Sequence, residues 1–267
     1  MKVAILYICT GAYNRFFNGF YESSMKYFLA GKAEKEYFVF TDDMSLSCDV
    51  NVHLIRRQCQ GFPADSLFRF DMFLQVKEQL TAFDYVYFFN ANAEFRKSVN
   101  EEILPDETGL AMGLWYNMEK PWWNLWHIFD LPAFYSYERN RKSLAYIPPY
   151  GKNYKHYMGG LNGGRVKEYM QMIETLSQNI RTDYNNGIIA VAHDQSHINA
   201  YMRKHQCKDL PREMCWPEEW PASFEPKIVF RDKMKMGEPF VKGRKSSAWG
   251  RFKRVIKRIK RALSWYV

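Results

Sequence analysis

Apolar residues along this chain fall into short continuous runs that alternate with stretches of helical spacing. The runs at residues 3–8, 37–41, 52–56, 85–89, 110–115 and 228–230 read as strands, because a strand covered on both faces needs no polar alternation. Between several of them, residues 16–29, 66–80, 166–178 and 196–204 repeat apolar side chains at three- and four-residue intervals, the stripe of a helix packed on one side. Such alternation predicts an α/β fold with a mostly parallel central sheet. Residues 121–150 and 211–226, rich in Pro and Trp, break the regularity and predict binding loops or lids. No internal repeat or low-complexity linker is present.

The final pattern differs in kind. Trp249, Phe252, Val255, Ile256, Ile259, Leu263 and Tyr266 recur on one helical face while cations fill the other. Residues 240–267 hold ten Lys or Arg and no acid, so the total of +9 leaves the rest of the chain near −1. Aromatic-aliphatic stripe and cationic face together predict a helix that lies on an anionic membrane surface. A nucleic-acid arm would need the cations but not the aligned apolar residues, so nucleic acid is not expected as a partner. The chain therefore divides into one domain over residues 1–240 and a basic amphipathic tail over residues 241–267.

With 267 residues, 47% of them hydrophobic, the chain can bury one substantial core. Aromatic residues reach 17%, and Trp115, Trp122, Trp123 and Trp126 crowd one short stretch. Indole rings stack on the apolar faces of sugars, although core or lid packing uses the same residues. Five cysteines, Cys9, Cys48, Cys59, Cys207 and Cys215, form no Cys-x-x-Cys pair and cannot all be bridged. That favours a reducing compartment. No secretory leader precedes the first apolar run, and no run is long enough to cross a bilayer. The expected location is the cytoplasm, peripheral to the cytoplasmic face of an inner membrane.

Four segments carry candidate chemistry. The run 85–89 stops at Asn90-Ala91-Asn92, and polar residues at the carboxyl end of a buried strand face the ligand cleft of an α/β sheet. Two carboxylates there would hold Mn²⁺ or Mg²⁺ against a diphosphate. Two amides bind such ions poorly but still donate and accept hydrogen bonds. After the first strand, Thr10-Gly11-Ala12-Tyr13 lies where backbone amides meet a nucleotide, without the Gly-x-Gly-x-x-Gly of a dinucleotide site. Tyr13 is placed to stack on a base or to pack a helix start. Residues 158–164, Met-Gly-Gly-Leu-Asn-Gly-Gly, carry four glycines before a helix, which predicts a sharp bend or a very close approach to another group. His193 and His197 stand at i and i+4, but Asp194 occupies the position of the Glu that His-Glu-x-x-His zinc sites need, and no third ligand is evident. The cluster is instead suited to set a carboxylate and an imidazole beside a sugar ring.

Taken together, residues 64–69, 90–92, 137–148, 157–164, 193–199 and 213–216 resemble, in order, the retaining α1,3-galactosyl and N-acetylgalactosaminyl transferases typified by the histo-blood-group A and B enzymes. The resemblance covers most of residues 3–235. It implies a single GT-A domain, the Rossmann-like nucleotide-diphospho-sugar transferase fold, a UDP-sugar donor, and transfer to the 3-hydroxyl of a galactose, often one bearing α1,2-fucose. Ile8, Cys9, Thr10 and Tyr13 fall where the family grips uridine and ribose, and Arg69 where it meets the donor. Asn90, Ala91 and Asn92 stand in place of the metal-binding Asp-x-Asp, as in bacterial members that need no metal, so no cofactor is expected. Lys233 and Lys235 are then candidates to neutralise the leaving diphosphate. Met158, Gly159 and Gly160 sit where the family discriminates donors. The Gly pair resembles the A-type enzymes and favours UDP-GalNAc, with UDP-Gal as the alternative.

Two departures bear on activity. Gln195 occupies the position of a family Glu, the proposed nucleophile or oxocarbenium stabiliser, and an amide supplies only a dipole there. Front-side attack with Asp194 supplying the acid group would be one way round that loss. The other is no turnover at all, leaving a protein that binds sugar nucleotide or glycan. The segment 115–134 is longer and richer in Trp than the family's acceptor loop, and Ala192 and Pro217 replace a family Trp and Asp that contact acceptor. Trp115, Trp122, Trp123 and His193 are the acceptor-site candidates.

Overall fold

Seven strands form the central sheet of the computed structural model, which describes residues 1–117, 132–240 and 248–266. In chain order the strands are β1 (Lys2–Ile8), β2 (Glu34–Thr41), β3 (Val52–Arg56), β4 (Tyr85–Phe89), β5 (Ala93–Phe95), β6 (Leu110–Asn117), β7 (Lys155–Arg165), β8 (Lys208–Leu210), β9 (Trp216–Pro217) and β10 (Ile228–Phe230). The helices are α1 (Phe17–Tyr27), α2 (Ala64–Leu67), α3 (Arg69–Leu74), α4 (Lys77–Leu80), α5 (Val166–Asn185), α6 (Asp194–Met202) and α7 (Ala248–Leu263). Spatial order in the sheet is β3-β2-β1-β4-β7-β6-β8, and β5-β10-β9 make a small second sheet. Pairing in the seven-stranded sheet is parallel except at β7, which runs antiparallel between β4 and β6, and in the small sheet β10 runs antiparallel to β5 and parallel to β9.

Both faces of the sheet are covered, which is why its strands read as unbroken apolar runs. Val3, Ile5 and Tyr7 of β1 enter one core with Phe17 and Phe20 of α1 and with Phe95, Ile228 and Phe230 of the small sheet. Ala4 and Leu6 enter the opposite core with Phe73 of α3, Ile173 and Leu176 of α5, and Ile198 of α6. A third cluster gathers Tyr135, Tyr137, Ile147 and Tyr154 around Ala262 and Trp265 of the C-terminal segment. The tail is thus docked on the domain through its last turn. No described helix is long and apolar enough to cross a membrane.

Two expectations change. The glycine-rich residues 158–164 form no bend: they lie within β7, an eleven-residue strand in the middle of the sheet. Close approach is the correct half of the expectation. A methyl group at Gly163 would stand 2.3 Å from Tyr87 Cδ1 and 2.5 Å from Val86 O, and one at Gly164 only 2.2 Å from Gly109 O. The single helix expected over 66–80 is three short ones, interrupted at Phe68 and at residues 75–76.

Candidate active site

The carboxyl ends of β1 and β4 open into a cleft of two connected cavities that share Tyr13, Asn90 and Lys233. The larger, about 630 Å³, is lined by Asn92, Trp115, Met158, Gly160, Gln195, Trp220 and Arg231 among others. The smaller, about 220 Å³, takes Ile8, Thr10, Asp65, Arg69 and Ala91. Chain topology explains the convergence, since loops leaving the ends of neighbouring parallel strands share one edge of the sheet.

Asn90 is held by the strand it faces. Its backbone N–H donates to Gly160 O at 2.8 Å, and its Nδ2 donates to Asn92 Oδ1 at 3.0 Å. Asn92 in turn gives its Nδ2 to Arg231 O at 2.7 Å and is 6% exposed. One hydrogen bond thus joins the two amides and another ties Asn92 to the backbone, and two cations, Lys233 and Arg231, line the same cavity. Neutral amides beside fixed positive charge are poor ligands for a hard divalent cation, which takes anionic oxygens, while the carboxylates of Glu219 and Asp232 line the same cavity. Lys233 Nζ donates to the Tyr13 hydroxyl at 3.2 Å and lies 4.8 Å from its ring centroid. Arg231 is steadied by Glu94, Nε to Oε2 3.1 Å.

Gly159 is the hub on the opposite wall. Its N–H donates to Gln195 Oε1 at 3.0 Å, while its carbonyl accepts from Arg69 Nη1 at 2.9 Å and from Asn162 Nδ2 at 3.1 Å. With Oε1 taken up in this way, Gln195 has its amide NH₂ left for other partners, and Nε2 lies 3.5 Å from His156 Nε2. Burial and the nearby Arg261 push His156 down to about 4, so the ring is neutral at ordinary pH. Asp194 lies behind this wall, 4% exposed, with Oδ2 3.2 Å from Arg69 Nε. Burial holds its carboxyl up at about 6, against the pull of the Arg69 guanidinium.

Several expected positions change on this geometry. Asp194 lines neither cavity; it stands behind Gly159 and supports Arg69, because β7 runs between it and the cleft. Cys9 points into the core, where burial raises its thiol to about 12, while its neighbours Ile8 and Thr10 face the cavity. Successive side chains of an extended segment alternate in direction. Lys235 pairs with Glu218 at 3.3 Å and lines neither cavity. His193 lies outside both, edge-on to Phe62 at 4.8 Å, with φ +50° and ψ −125°. That sparsely populated conformation turns the chain so that the next two residues reach β7. Trp115 does line the larger cavity, 5.8 Å from Trp220 in an edge-on pair. Trp122 and Trp123 lie outside the described residues.

Sequence reasoning passed over Arg231, Asp65, Trp220 and His156. The signal for Arg231 was present in the polar Arg231-Asp232-Lys233 that follows β10, the same logic that marks Asn90. Asp65, which accepts from Thr10 Oγ1 at 3.2 Å, and His156, inside a strand, have no such mark.

A mostly parallel sheet carrying a ligand cleft at its strand ends, with the second small sheet and the loop cations around it, is the arrangement of a GT-A-like glycosyltransferase domain. The model of glycosyltransferase family 6 matches residues 1–235. The chain belongs to that family. It is 32% identical over 235 residues to the O-antigen biosynthesis glycosyltransferase WbnI of Escherichia coli, covering 87% of this chain and 95% of that one. It is 30% identical over 216 residues to histo-blood group ABO system transferase 1 of Rattus norvegicus, covering 76% of this chain and 58% of the rat protein. Identity to globoside alpha-1,3-N-acetylgalactosaminyltransferase 1 of Gallus gallus is 25% over 231 residues, 83% of this chain and 63% of the relative. The chain thus spans nearly all of the bacterial relative and about three fifths of these two vertebrate ones.

Proposed function

We propose that this glycosyltransferase moves GalNAc with retention from UDP-GalNAc to the 3-hydroxyl of a galactose, one bearing α1,2-fucose, and does so without a divalent metal. The observation that carries the reading is the meeting of Asn90, Gly160, Gln195 and Lys233 on one cavity. Uridine and ribose are assigned to the smaller cavity beside Ile8, Thr10 and Tyr13, with the diphosphate near Lys233 and Arg231. Fixed cations aimed at the charge that develops on the leaving group can take the part of an ion. Room for the acetamido group comes from Gly160, where a methyl would lie 3.1 Å from Met158 Cε and Phe230 Cε1. The acceptor is assigned to the Trp115 and Trp220 side.

Glycosyl transfer develops oxocarbenium character at the anomeric carbon. In this reading Gln195 contributes its dipole and a hydrogen bond from its NH₂ and forms no covalent bond, so the acceptor hydroxyl attacks on the face that UDP leaves. Arg69, oriented by Asp194 and Gly159, fixes the donor. The name of the E. coli relative supports an O-antigen glycan as the class of natural acceptor, and the basic amphipathic tail motivates the cytoplasmic face of an inner membrane as the proposed place of work.

The test is transfer from UDP-GalNAc and UDP-Gal to a 2'-fucosylated galactoside in excess EDTA, for the chain and for Gln195→Glu. EDTA-resistant GalNAc transfer by the unaltered chain supports the proposal. Transfer from UDP-Gal alone reassigns the donor. Transfer only in the Glu form marks a disabled enzyme that binds without turnover, and inhibition by EDTA overturns the metal-free mechanism.

A further inference from the structure

The last turn of the C-terminal segment is an anchor. Trp265 is 3% exposed, packs 5.3 Å from the Tyr154 ring and 5.8 Å from Tyr137, and donates Nε1 to Ile147 O at 2.7 Å. Ala262 is buried beside it, and Arg261 Nη2 donates to Tyr137 O at 3.4 Å. On a helical wheel of about 100° per residue these three positions share one side. Trp249, Val255, Ile256, Ile259 and Leu263 share another, and there they remain 62, 39, 37, 41 and 64% exposed. Lys253, Lys257 and Lys260, all exposed, border that stripe on the edge away from the docked side.

Docking through Trp265 therefore does not hide the apolar stripe; it holds the stripe outward in a set orientation beside a row of cations. A second copy of the chain would bring like charge against like, since residues 240–267 contain no acid. Nucleic acid would meet the lysines but leave the aliphatic side chains without a partner. An anionic lipid surface meets both, apolar side chains entering the acyl boundary and lysines reaching the headgroups. We infer that the exposed stripe of α7 with its lysine border is the surface by which the protein binds an anionic bilayer. The inference gives a structural basis to the membrane location proposed above, and it stands on the helix and not on the choice of sugar.

The test is co-sedimentation of the full chain with phosphatidylcholine vesicles, with and without phosphatidylglycerol, at low and high salt. Alongside it, transfer to a soluble acceptor and far-ultraviolet circular dichroism are measured. Binding to the anionic vesicles alone, weakened by salt, is expected. Ile256→Glu with Ile259→Glu should reduce it at least about tenfold, and Lys257→Ala with Lys260→Ala about fivefold per lysine, with transfer and helicity unchanged. Equal binding to neutral vesicles, undiminished binding by the isoleucine variants, or tighter retention on duplex DNA than on vesicles would each overturn the inference. So would self-association abolished by the same substitutions. Loss of soluble transfer by the unaltered chain would count against the transferase reading and leave the vesicle result intact.

Discussion

At the residue scale the site depends on one residue, Gly159, whose N–H holds Gln195 and whose carbonyl holds Arg69. A glutamate in place of Gln195 would keep the Gly159 bond with one oxygen and turn the other toward His156, which then must carry a proton on Nε2. Gln195→Glu should therefore raise the His156 pKa from about 4, read by imidazole NMR titration of the two proteins. Asp194 makes a second prediction. Its carboxyl is ordinarily 3.8 and is held at about 6 here, so the native state carries an extra proton between those values. Its contribution to stability declines as pH rises through that window. Charge opposite Arg69 is present only above it. kcat/KM should accordingly rise with pH through about 6, and Asp194→Asn should remove that limb and lower the plateau. Gly160→Ala makes a third: it should lower GalNAc transfer relative to Gal by about 10–200-fold, the range for one methyl group in a tight pocket.

At the element scale β7 is the member that brings the two walls of the cleft together, lying against β4 and Asn90 on one side and holding Gln195 and Arg69 through Gly159. Its position is bought by the absence of side chains at Gly163 and Gly164. Gly163→Ala forces a methyl against the Tyr87 ring and the Val86 carbonyl, and should destabilise the fold by about 3 kcal/mol, measured by urea unfolding. The strand was hidden in the sequence because Gly has low strand propensity, whereas β3, β4 and β10 were legible from their apolar runs alone. The same difficulty concealed His156, which faces Gln195 from within β7 and carries no local signal.

At the scale of the whole molecule, Trp265 is the joint between tail and domain. Replacing it with Ala removes its rings' contacts with Tyr137 and Tyr154 and its bond to Ile147. A buried Trp truncated in this way costs about 3–5 kcal/mol, and the loss should fall on docking of α7. Hydrogen exchange should then quicken in residues 248–266 while the amides of β1 and β4 keep their protection. Of the tail, the sequence carried the amphipathic pattern and the charge, both periodic and local. It did not show that the stripe and the docking side are different, since Trp265 and Tyr266 look alike as terminal aromatics until Ile147 and Tyr154 are seen beneath the first of them.

Local order determined much of this protein. Buried runs of one hydrophobic character mark strands of a doubly covered sheet, and a polar break at such a strand's end marks the cleft, so Asn90, Tyr13 and Lys233 were within reach of the sequence, as was the family. Tertiary structure decided what depends on contacts between distant segments. It turned Cys9 inward, drew Lys235 off to Glu218, set Asp194 behind Gly159 and brought His156 against Gln195. A side chain's partner is chosen by which elements pack together, and that choice is made by the cooperative burial of the whole core, which no single stretch of residues records.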